Sequence, residues 1–223
     1  MSDTESAPIT VDIVSDVMCP WCYIGKRRFE RALAERPGLA LDVRWRAFKL
    51  DATIPKGGVD REEYLSRKFG GAAQASAIYA NIEQAGAAEQ LAFDFASIRR
   101  SPNTTDAHRL IRWSHGAGVQ DDVVEELFHA FFVAGRDVED QQLLAEIGGR
   151  SGMDEALLRE LLDSDKDVDA VDAEIAHAQQ LGIEGVPCFV FAGRVAVMGA
   201  QEPEGLLAAI DKALALGDEP PAA

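Results

Sequence analysis

Residues 9–34 read ITVDIVSDVMCPWCYIGKRRFERALA, an apolar alternating run followed by two cysteines and a basic amphipathic run. The alternation in residues 9–14 predicts a strand, and the period of residues 23–34 predicts a helix. Cys19 and Cys22 therefore fall where the strand gives way to the helix. Residues three apart on a helix have Cβ atoms about 5–6 Å from each other. We expect the two thiols to form or open a disulfide with little backbone movement.

The predicted start of this helix also explains how one thiol would be activated. The unpaired N–H groups and partial positive charge of a first helical turn favour an anion by up to about 2 kcal/mol. A thiolate is the form that attacks a disulfide, so we expect Cys19, at the helix start, to be the nucleophile. Cys22 lies one turn inside and is expected to stay a buried thiol until it resolves a mixed disulfide. Pro20 suits the first helical position, because the N–H group that it lacks has no partner there.

The composition limits the class of protein. The chain has 223 residues, of which 47% are hydrophobic, and its formal net charge is −16. This length and hydrophobic fraction predict one large domain, or one domain with an insertion, around a substantial core. The negative charge argues against nucleic acid or an anionic membrane as the main partner.

The N-terminal residues and the cysteine count predict the cellular location. Residues 1–8 are acidic and polar and lack the basic and apolar regions of a secretory signal. The sequence has no run of about 18 apolar residues, so we expect no membrane span. Three cysteines are too few for a domain held together by disulfides. We therefore expect a cytoplasmic protein, in which two cysteines at this spacing are more often catalytic or metal-binding than structural.

The hydrophobic pattern divides the rest of the chain into a helical block and a returning sheet. Residues 39–50 alternate, which predicts a second strand after the first helix. Residues 60–181 have helical period almost throughout, apart from an uncertain extended piece at residues 91–95. Residues 188–198 are typical of a two-stranded hairpin, and residues 204–216 of a last helix. The pattern predicts an α/β fold with a large all-helical insertion.

Four segments carry a resemblance to a known family. They read CPWCYIGKR at residues 19–27, NTTDAHRL at residues 103–110, GVP at residues 185–187 and VMGAQ at residues 197–201. With the layout described above, they resemble the DsbA-like oxidoreductases, which have a thioredoxin-like fold with a helical insertion. The resemblance is closest to the FrnE-type branch of that family.

The hydrophobic pattern and this resemblance together imply a domain organisation. Residues 9–55 and 183–216 would form one discontinuous thioredoxin-like domain. Residues 60–182 would form an inserted helical subdomain, and residues 1–8 and 217–223 would be flexible tails.

The resemblance also implies roles for the residues around the two thiols. It gives Cys19 and Cys22 as the catalytic pair, and it implies a cis peptide bond between Val186 and Pro187 that faces them. The residues then expected to contact the substrate are Pro20, Trp21, Val186 and Pro187.

Trp21 separates this chain from periplasmic DsbA-like enzymes, which often carry His at that position. Because a cationic neighbour of Cys19 is then absent, we expect a weaker oxidant, suited to reduction or isomerisation. The redox centre is the cysteine pair itself, so no dissociable cofactor is expected, and glutathione is a candidate co-substrate. The N–H groups of residues 199–201, just before the last helix, either cap that helix or hold a glutathione carboxylate.

Two further residues, Cys188 and His108, each have a simple interpretation beside a sharper one. Cys188 is most simply a packed thiol of a strand, and the alternative is a third redox-active thiol. His108 is most simply a structural helix residue, and the alternative is a residue at the border of the active cleft. Lys26 and its charged neighbours on the first helix are expected to face water.

The predicted function is thiol–disulfide oxidoreduction of disulfide-containing proteins or small molecules. One alternative is a glutathione-dependent isomerase or transferase of the kappa or 2-hydroxychromene-2-carboxylate isomerase type, which resembles this layout but usually has Ser where Cys19 stands. Another is a chaperone or binding module that uses the acidic helical face. Structural zinc normally needs four protein ligands. Cys188 would supply only a third, so we expect no metal site.

Overall fold

The computed structural model describes residues 8–217, so the predicted tails, at residues 1–8 and 217–223, lie almost wholly outside the described residues. The strands are β1 (Ile9–Ser15), β2 (Leu41–Ala47), β3 (Val59–Asp60), β4 (Arg100–Ser101), β5 (Cys188–Phe191) and β6 (Val195–Met198). The helices are α1 (Pro20–Ala34), α2 (Arg61–Phe69), α3 (Ala72–Ala88), α4 (Thr105–Ala117), α5 (Gln120–Phe132), α6 (Gln141–Arg150), α7 (Glu155–Leu162), α8 (Val168–Gln180) and α9 (Pro203–Ala215).

The main sheet has the strand order β2-β1-β5-β6. Strand β1 is parallel to β2, with Ile13 opposite Trp45, and antiparallel to β5, with Ile13 also opposite Phe189. Helix α1 connects β1 to β2, as a parallel pair requires. Strand β1 is therefore an inner strand, and its Val11 and Ile13 are fully buried. This strand ends just before the two cysteines.

The helical insertion lies between β2 and β5, a stretch that the structure describes throughout and that contains α2 to α8. The predicted α/β fold with a large helical insertion is confirmed, but the insertion is not all-helical, because it also contains β3 and β4. The extended piece expected at residues 91–95 is wrong, because these residues lie in a loop between α3 and β4. A short ladder of β3 and β4, with Val59 opposite Ser101, was not predicted, because strands of two residues have no period to detect. The division of the chain into two domains stays a prediction.

Helix α1 is held between the sheet and the insertion by aromatic contacts. The ring of Phe29 lies 5.5 Å from the ring of Phe189 on β5, measured between centroids. The ring of Tyr23 stacks on that of Phe128 in α5, with centroids 5.0 Å apart. These contacts fix the helix that begins at the cysteine pair from both sides.

Lys26 corrects one expectation about α1, because it does not face water. Its side chain is only 3% exposed, and its ammonium group forms ion pairs with Glu30, Asp121 and Glu125. The expectation failed because the sequence does not show that α5 covers this face of α1 and supplies two of the three carboxylates. A buried ammonium is tolerated where such partners replace its hydration.

Candidate active site at the start of helix α1

Cys19 is the N-cap residue of α1, with an extended backbone (φ −95°, ψ 110°). Its N–H donates to the carbonyl of Asp16 at 2.9 Å, and its own carbonyl accepts from the N–H of Cys22 at 3.0 Å. Pro20 occupies the first helical turn and is buried. Cys19 therefore stands at the end of the helix whose first N–H groups are unpaired, although none of them donates a capping hydrogen bond to its sulfur. The residue is only 3% exposed.

The loop before β5 approaches this thiol from the other side of the site. The Sγ atom of Cys19 lies 3.6 Å from the carbonyl oxygen of Val186. The Val186–Pro187 peptide bond is cis, and the carbonyl of Pro187 accepts from the N–H of Gly199 at 2.7 Å. This hydrogen bond from the residue after β6 thus fixes the position of the segment that contacts Cys19.

Gly25 permits this close approach. A Cβ atom at position 25 would lie 2.9 Å from Cγ of Pro187, which is shorter than a normal contact. The absence of a side chain at this position of α1 lets the Pro187 ring pack directly on the helix backbone.

Cys22 is fully enclosed, at 1% exposure, and its environment holds it as a thiol. Burial raises the pKa of Cys22 well above its ordinary value, and the neighbouring Cys19 adds to the rise through a hydrogen bond and its charge. The side chain of Ser15 and the backbone N–H of Asp16 act in the opposite direction, because hydrogen bonds to the sulfur stabilise a thiolate. Both thiols are buried, but they have different neighbours: Cys19 contacts the carbonyl of Val186, whereas Cys22 is near Ser15 and the backbone of Asp16.

Asp16 is a site residue that the sequence reasoning missed. It is 0% exposed, and its Oδ2 accepts from the N–H of Leu50 at 2.8 Å. His108, from α4, places Nε2 at 3.6 Å from Oδ1 of Asp16 and at 2.8 Å from the carbonyl oxygen of Phe48, to which it donates. The available signal was the Ser15-Asp16 pair, two polar residues at the buried end of a core strand directly before the cysteines. His108 thus reaches the back of the active loop from within the insertion.

The other residues of the segment at 103–110 stabilise the insertion. The guanidinium of Arg109 is buried and donates to the carbonyls of Leu161, Ser164 and Lys166, which follow or end α7. Arg109 also forms an ion pair with Asp106 at 2.7 Å. These contacts lie within the helical block, so the segment as a whole does not line the cysteine pair.

The structure places the four expected substrate-contact residues around the pair with different exposure. Trp21 is 37% exposed, Val186 is half-buried, and Pro20 and Pro187 are buried. Trp21 and Val186 therefore provide the accessible apolar surface beside Cys19.

Two of the three N–H groups considered for a carboxylate are used within the chain. The N–H of Gly199 donates to Pro187, and that of Gln201 donates to the carbonyl of Gly199 at 2.9 Å. The expected anchor for a glutathione carboxylate at residues 199–201 is therefore reduced to the N–H of Ala200.

Cys188 lies in a separate apolar cluster with Val14, Phe48, Ala178 and Ile183. It is 0% exposed, and burial raises its pKa to about 11. These surroundings are those of a packed strand thiol.

The described part of the chain contains neither a cluster of metal-binding side chains nor a helix that could span a membrane. No three His, Cys, Asp or Glu side chains of residues 8–217 are grouped so as to hold a metal ion. Within the same residues, no helix combines the length and the apolar character that crossing a membrane requires.

Comparisons with known proteins agree with this geometry. A probable DsbA oxidoreductase from Streptomyces coelicolor is 34% identical, and the match covers 96% of this chain and 93% of that one, with a TM-score of 0.84. The cytosolic disulfide reductase DsbM of Pseudomonas aeruginosa, crystallised with GSH, is 17% identical (93% and 96% covered, TM-score 0.61). A 2-hydroxychromene-2-carboxylate isomerase is 16% identical (93% and 97% covered, TM-score 0.67). The last two likenesses show a shared fold.

The family assignment rests on a match along nearly the whole chain. Residues 10–211 match the model of the DSBA-like thioredoxin domain. This range runs from β1 to α9 and includes both the cysteine pair and the Val186–Pro187 loop. The thioredoxin-like fold predicted from the sequence is thereby confirmed, and the chain belongs to the family of DsbA-like thioredoxin domains.

Proposed function

We propose that this protein is a cytoplasmic thiol–disulfide oxidoreductase of the FrnE-type branch, which reduces or isomerises disulfides of proteins or small molecules. The observation that carries the proposal is the contrast between its two thiols. Cys19 caps the start of α1 and contacts the carbonyl of Val186, whereas Cys22 is enclosed one turn further on. Cys19 is placed to attack the substrate disulfide, and Cys22 is placed to attack the mixed disulfide afterwards.

The first step is the attack of the Cys19 thiolate on one sulfur of a substrate disulfide. A bond forms between Sγ of Cys19 and that sulfur, and the other substrate sulfur leaves as a thiolate that takes up a proton. In the second step Cys22 loses its proton, attacks Sγ of Cys19 and expels the remaining substrate thiolate. Two electrons have then passed to the substrate, and Cys19 and Cys22 share a disulfide.

The burial of Cys22 explains why Cys19 reacts first and Cys22 second. Because burial raises the pKa of Cys22, it stays a thiol while Cys19 reacts. The hydrogen bonds from Ser15 and the Asp16 backbone N–H then stabilise the thiolate that the second step needs. Cys22 therefore reacts chiefly with the sulfur beside it, and substrate disulfides meet Cys19 first.

Substrate contact is assigned to Pro20, Trp21, Val186 and Pro187. A substrate sulfur bonded to Cys19 would lie close to the backbone of Val186, whose carbonyl lies 3.6 Å from Sγ. The exposed ring of Trp21 offers an apolar surface for the residues on either side of that sulfur. No dissociable cofactor enters the mechanism, because the electrons come from the dithiol.

Return to the dithiol needs an external reductant. Two molecules of glutathione would reduce the Cys19–Cys22 disulfide and leave as oxidised glutathione, which balances the two electrons. Trp21 supplies no positive charge to Cys19, which supports a pair that gives up electrons more readily than one with a cationic neighbour.

The test compares insulin reduction and reactivation of scrambled ribonuclease by the wild type and by Cys19→Ser, Cys22→Ser and Cys188→Ser. We expect Cys19→Ser to abolish turnover and Cys22→Ser to accumulate mixed disulfides that mass spectrometry detects. Cys188→Ser is the matched control, since it removes a buried thiol outside the site, and it should retain activity.

Three outcomes would contradict the proposal. Turnover without Cys19 would exclude it as the nucleophile. Turnover that needs glutathione and survives Cys22→Ser would favour the glutathione-dependent isomerase or transferase. Suppression of aggregation that is unaffected by Cys19→Ser, with no disulfide turnover in the wild type, would favour the chaperone.

A further inference from the structure

One arginine of α1 is bonded to the loop between β6 and α9. Arg28 lies one turn after Gly25 on α1, and its side chain is only 13% exposed. Its Nη1 donates to the carbonyl oxygen of Ala200 at 2.6 Å. Its Nη2 lies 2.8 Å from Oε1 of Glu202, the last residue before α9. Two nitrogens of this guanidinium therefore contact the loop that follows β6.

A buried carboxylate of the insertion sets the direction of this guanidinium. Nε of Arg28 donates to Oε1 of Glu89 at 2.9 Å, and the Glu89 side chain, just after α3, is 2% exposed. Its other oxygen accepts from Nη1 of Arg31 at 2.8 Å. Burial opposes ionisation of Glu89, but the hydrogen bonds and charges of Arg31 and Arg28 outweigh it and lower its pKa. Because a guanidinium is a rigid planar fork, the bond to Glu89 directs the other two nitrogens toward residues 200 and 202.

This loop is bonded in turn to the segment beside Cys19. The N–H of Gly199, which precedes Ala200, donates to the carbonyl of Pro187 at 2.7 Å. The residue before Pro187 is Val186, whose carbonyl oxygen lies 3.6 Å from Sγ of Cys19. Three contacts, joined by single peptide bonds, therefore lead from the guanidinium to the reactive sulfur.

We propose that Arg28 is a positioning residue for the disulfide chemistry of Cys19, because it fixes the loop at residues 199–200 and, through that loop, the Val186–Pro187 segment. The inference rests on the proposed function, in which a substrate sulfur bonded to Cys19 lies close to Val186. Arg28 acts through the loop and not on the sulfur itself. Its loss should weaken the binding of substrate beside Cys19 without removing the thiol that reacts.

Arg31 provides a matched control. It shares a carboxylate with Arg28, but within residues 8–217 its hydrogen bond and its ion pair are both formed with Glu89. Its side chain is 57% exposed. Arg31→Met and Arg28→Met therefore remove the same charge and leave Glu89 with one arginine each, but only Arg28→Met removes the bonds to the loop.

The first measurement is amide hydrogen exchange, which does not depend on activity. The N–H of Gly199 should exchange at least about tenfold faster in Arg28→Met than in the wild type, because the loop opens more often. The N–H of Ala192, which donates to the carbonyl of Thr10 at 2.8 Å, reports general destabilisation and should keep its rate. Arg31→Met should leave both rates unchanged.

The second measurement is steady-state insulin reduction. We expect Arg28→Met to raise KM at least about fivefold and to change kcat by less than about twofold, because the lost interaction acts on substrate binding. Arg31→Met should match the wild type. Arg28→Lys covers the case in which Arg28→Met does not fold. It keeps the charge but loses the planar fork, and it should move the exchange rate and KM in the same direction as Arg28→Met.

Three outcomes would overturn the positioning role. They are a Gly199 exchange rate that rises no more than that of Ala192 in Arg28→Met and Arg28→Lys, an Arg31→Met variant that behaves as Arg28→Met does, and a kcat that falls while KM is unchanged. A wild type that does not reduce insulin would refute the proposed function instead, and the exchange rates would still decide whether Arg28 fixes the loop.

Discussion

The Sγ atom of Cys19 lies 3.6 Å from the carbonyl oxygen of Val186, a residue 167 positions further along the chain. The two segments meet because β1, which leads to Cys19, is paired directly with β5, which follows Pro187. The surroundings of the reactive sulfur therefore depend on a contact between two loops, each of which adjoins one of two neighbouring strands.

Gly25→Ala should impair catalysis although alanine favours helices. The new Cβ would lie 2.9 Å from Cγ of Pro187, so either α1 or the Val186–Pro187 loop must move. A displacement of this kind at a reacting centre lowers rates steeply, and we expect kcat/KM for insulin reduction to fall by about tenfold or more.

Gly116→Ala is the control, because its Cβ meets no atom within 4 Å. It should leave activity unchanged and stabilise the protein by up to about 1 kcal/mol. Equal activity of Gly25→Ala and the wild type would show that the close packing is dispensable.

Ser15→Ala should slow the second step and spare the first. The Ser15 side chain lowers the pKa of Cys22 against the larger effect of burial, so its removal makes the Cys22 thiolate scarcer. A change of about one pKa unit alters the thiolate fraction tenfold, and we expect resolution to slow about threefold to tenfold. Quenched-flow mass spectrometry of a single turnover measures the lifetime of the mixed disulfide.

The control for this prediction is Ser114→Ala, another buried serine, which donates within α4 to the carbonyl of Ile111. It should leave both steps unchanged. An unchanged lifetime of the mixed disulfide in Ser15→Ala would remove Ser15 from the mechanism.

Trp21→His should make the cysteine pair more oxidising at acidic pH. A protonated imidazole beside Cys19 stabilises the thiolate and thus the reduced form. A gain of about 1.4 kcal/mol corresponds to about 30 mV toward less negative potential. Because histidine loses its charge near pH 6.5, the shift should be present at pH 6 and small at pH 8, as measured by equilibrium with glutathione. Trp21→Phe supplies the uncharged control, and a shift of the same size in both variants would exclude the electrostatic cause.

Glu125→Gln should destabilise the protein most at neutral pH. Burial opposes ionisation of Glu125, but the hydroxyl of Tyr23, at 2.7 Å, and the charges of Lys26 and Arg27 outweigh it and lower its pKa. Such a carboxylate contributes stability above its unfolded pKa of about 4.5, and loses that contribution as the pH falls through the lower folded value. We expect Glu125→Gln to lower the free energy of unfolding by about 2 kcal/mol at pH 7 and by less in acid. Urea unfolding at several pH values measures this difference.

The neighbouring Glu126 gives a matched control for that variant. Glu126 pairs with Arg150 at the surface, where both side chains are about half exposed. Glu126→Gln should change the free energy of unfolding by less than about 1 kcal/mol at any pH. If the two variants behave alike, the buried cluster around Lys26 contributes no more than an ordinary surface pair.

Cys188→Ala should reduce the alkaline loss of stability. Burial raises the pKa of Cys188 from an ordinary value of 9.0 to about 11. The stabilising contribution of this buried thiol is fully present below pH 9. Between pH 9 and about pH 11 the thiol ionises in the unfolded protein but not in the folded one, so the free energy of unfolding falls. The variant should lose about 1 kcal/mol at pH 7 from missing packing, and its deficit should shrink as pH rises. A constant deficit from pH 7 to pH 11 would contradict this ionisation behaviour.

The sequence was sufficient for the parts of the fold that have a period or a motif. The alternation of β1, the helical period of α1 and the cysteine spacing predicted the junction at Cys19. The later hairpin predicted the return of the sheet. The ladder of β3 and β4 was missed because strands of two residues leave no pattern. The environments of Lys26 and Asp16 were missed because each depends on partners more than thirty residues away in the chain.

Arg61 shows the same limit in the helical insertion, where its side chain is buried. In the sequence it reads as one more charged residue at the start of a helix, beside Glu62 and Glu63. Its burial arises from the packing of α2 and α5 around it and from the Tyr79 ring of α3. Local pattern describes which face of a helix is apolar, but it does not describe which polar group a distant helix will enclose.

The position of β1 between β2 and β5 bears on how this protein could diverge. Backbone hydrogen bonds join the strand that leads into Cys19 to the strand that leaves Pro187, and no exchange of side chains removes those bonds. Descendants of such a chain are free to replace Trp21 and other residues outside this strand pairing, and so to alter electron affinity and substrate choice. The meeting of the two loops would be inherited unchanged through all of these replacements.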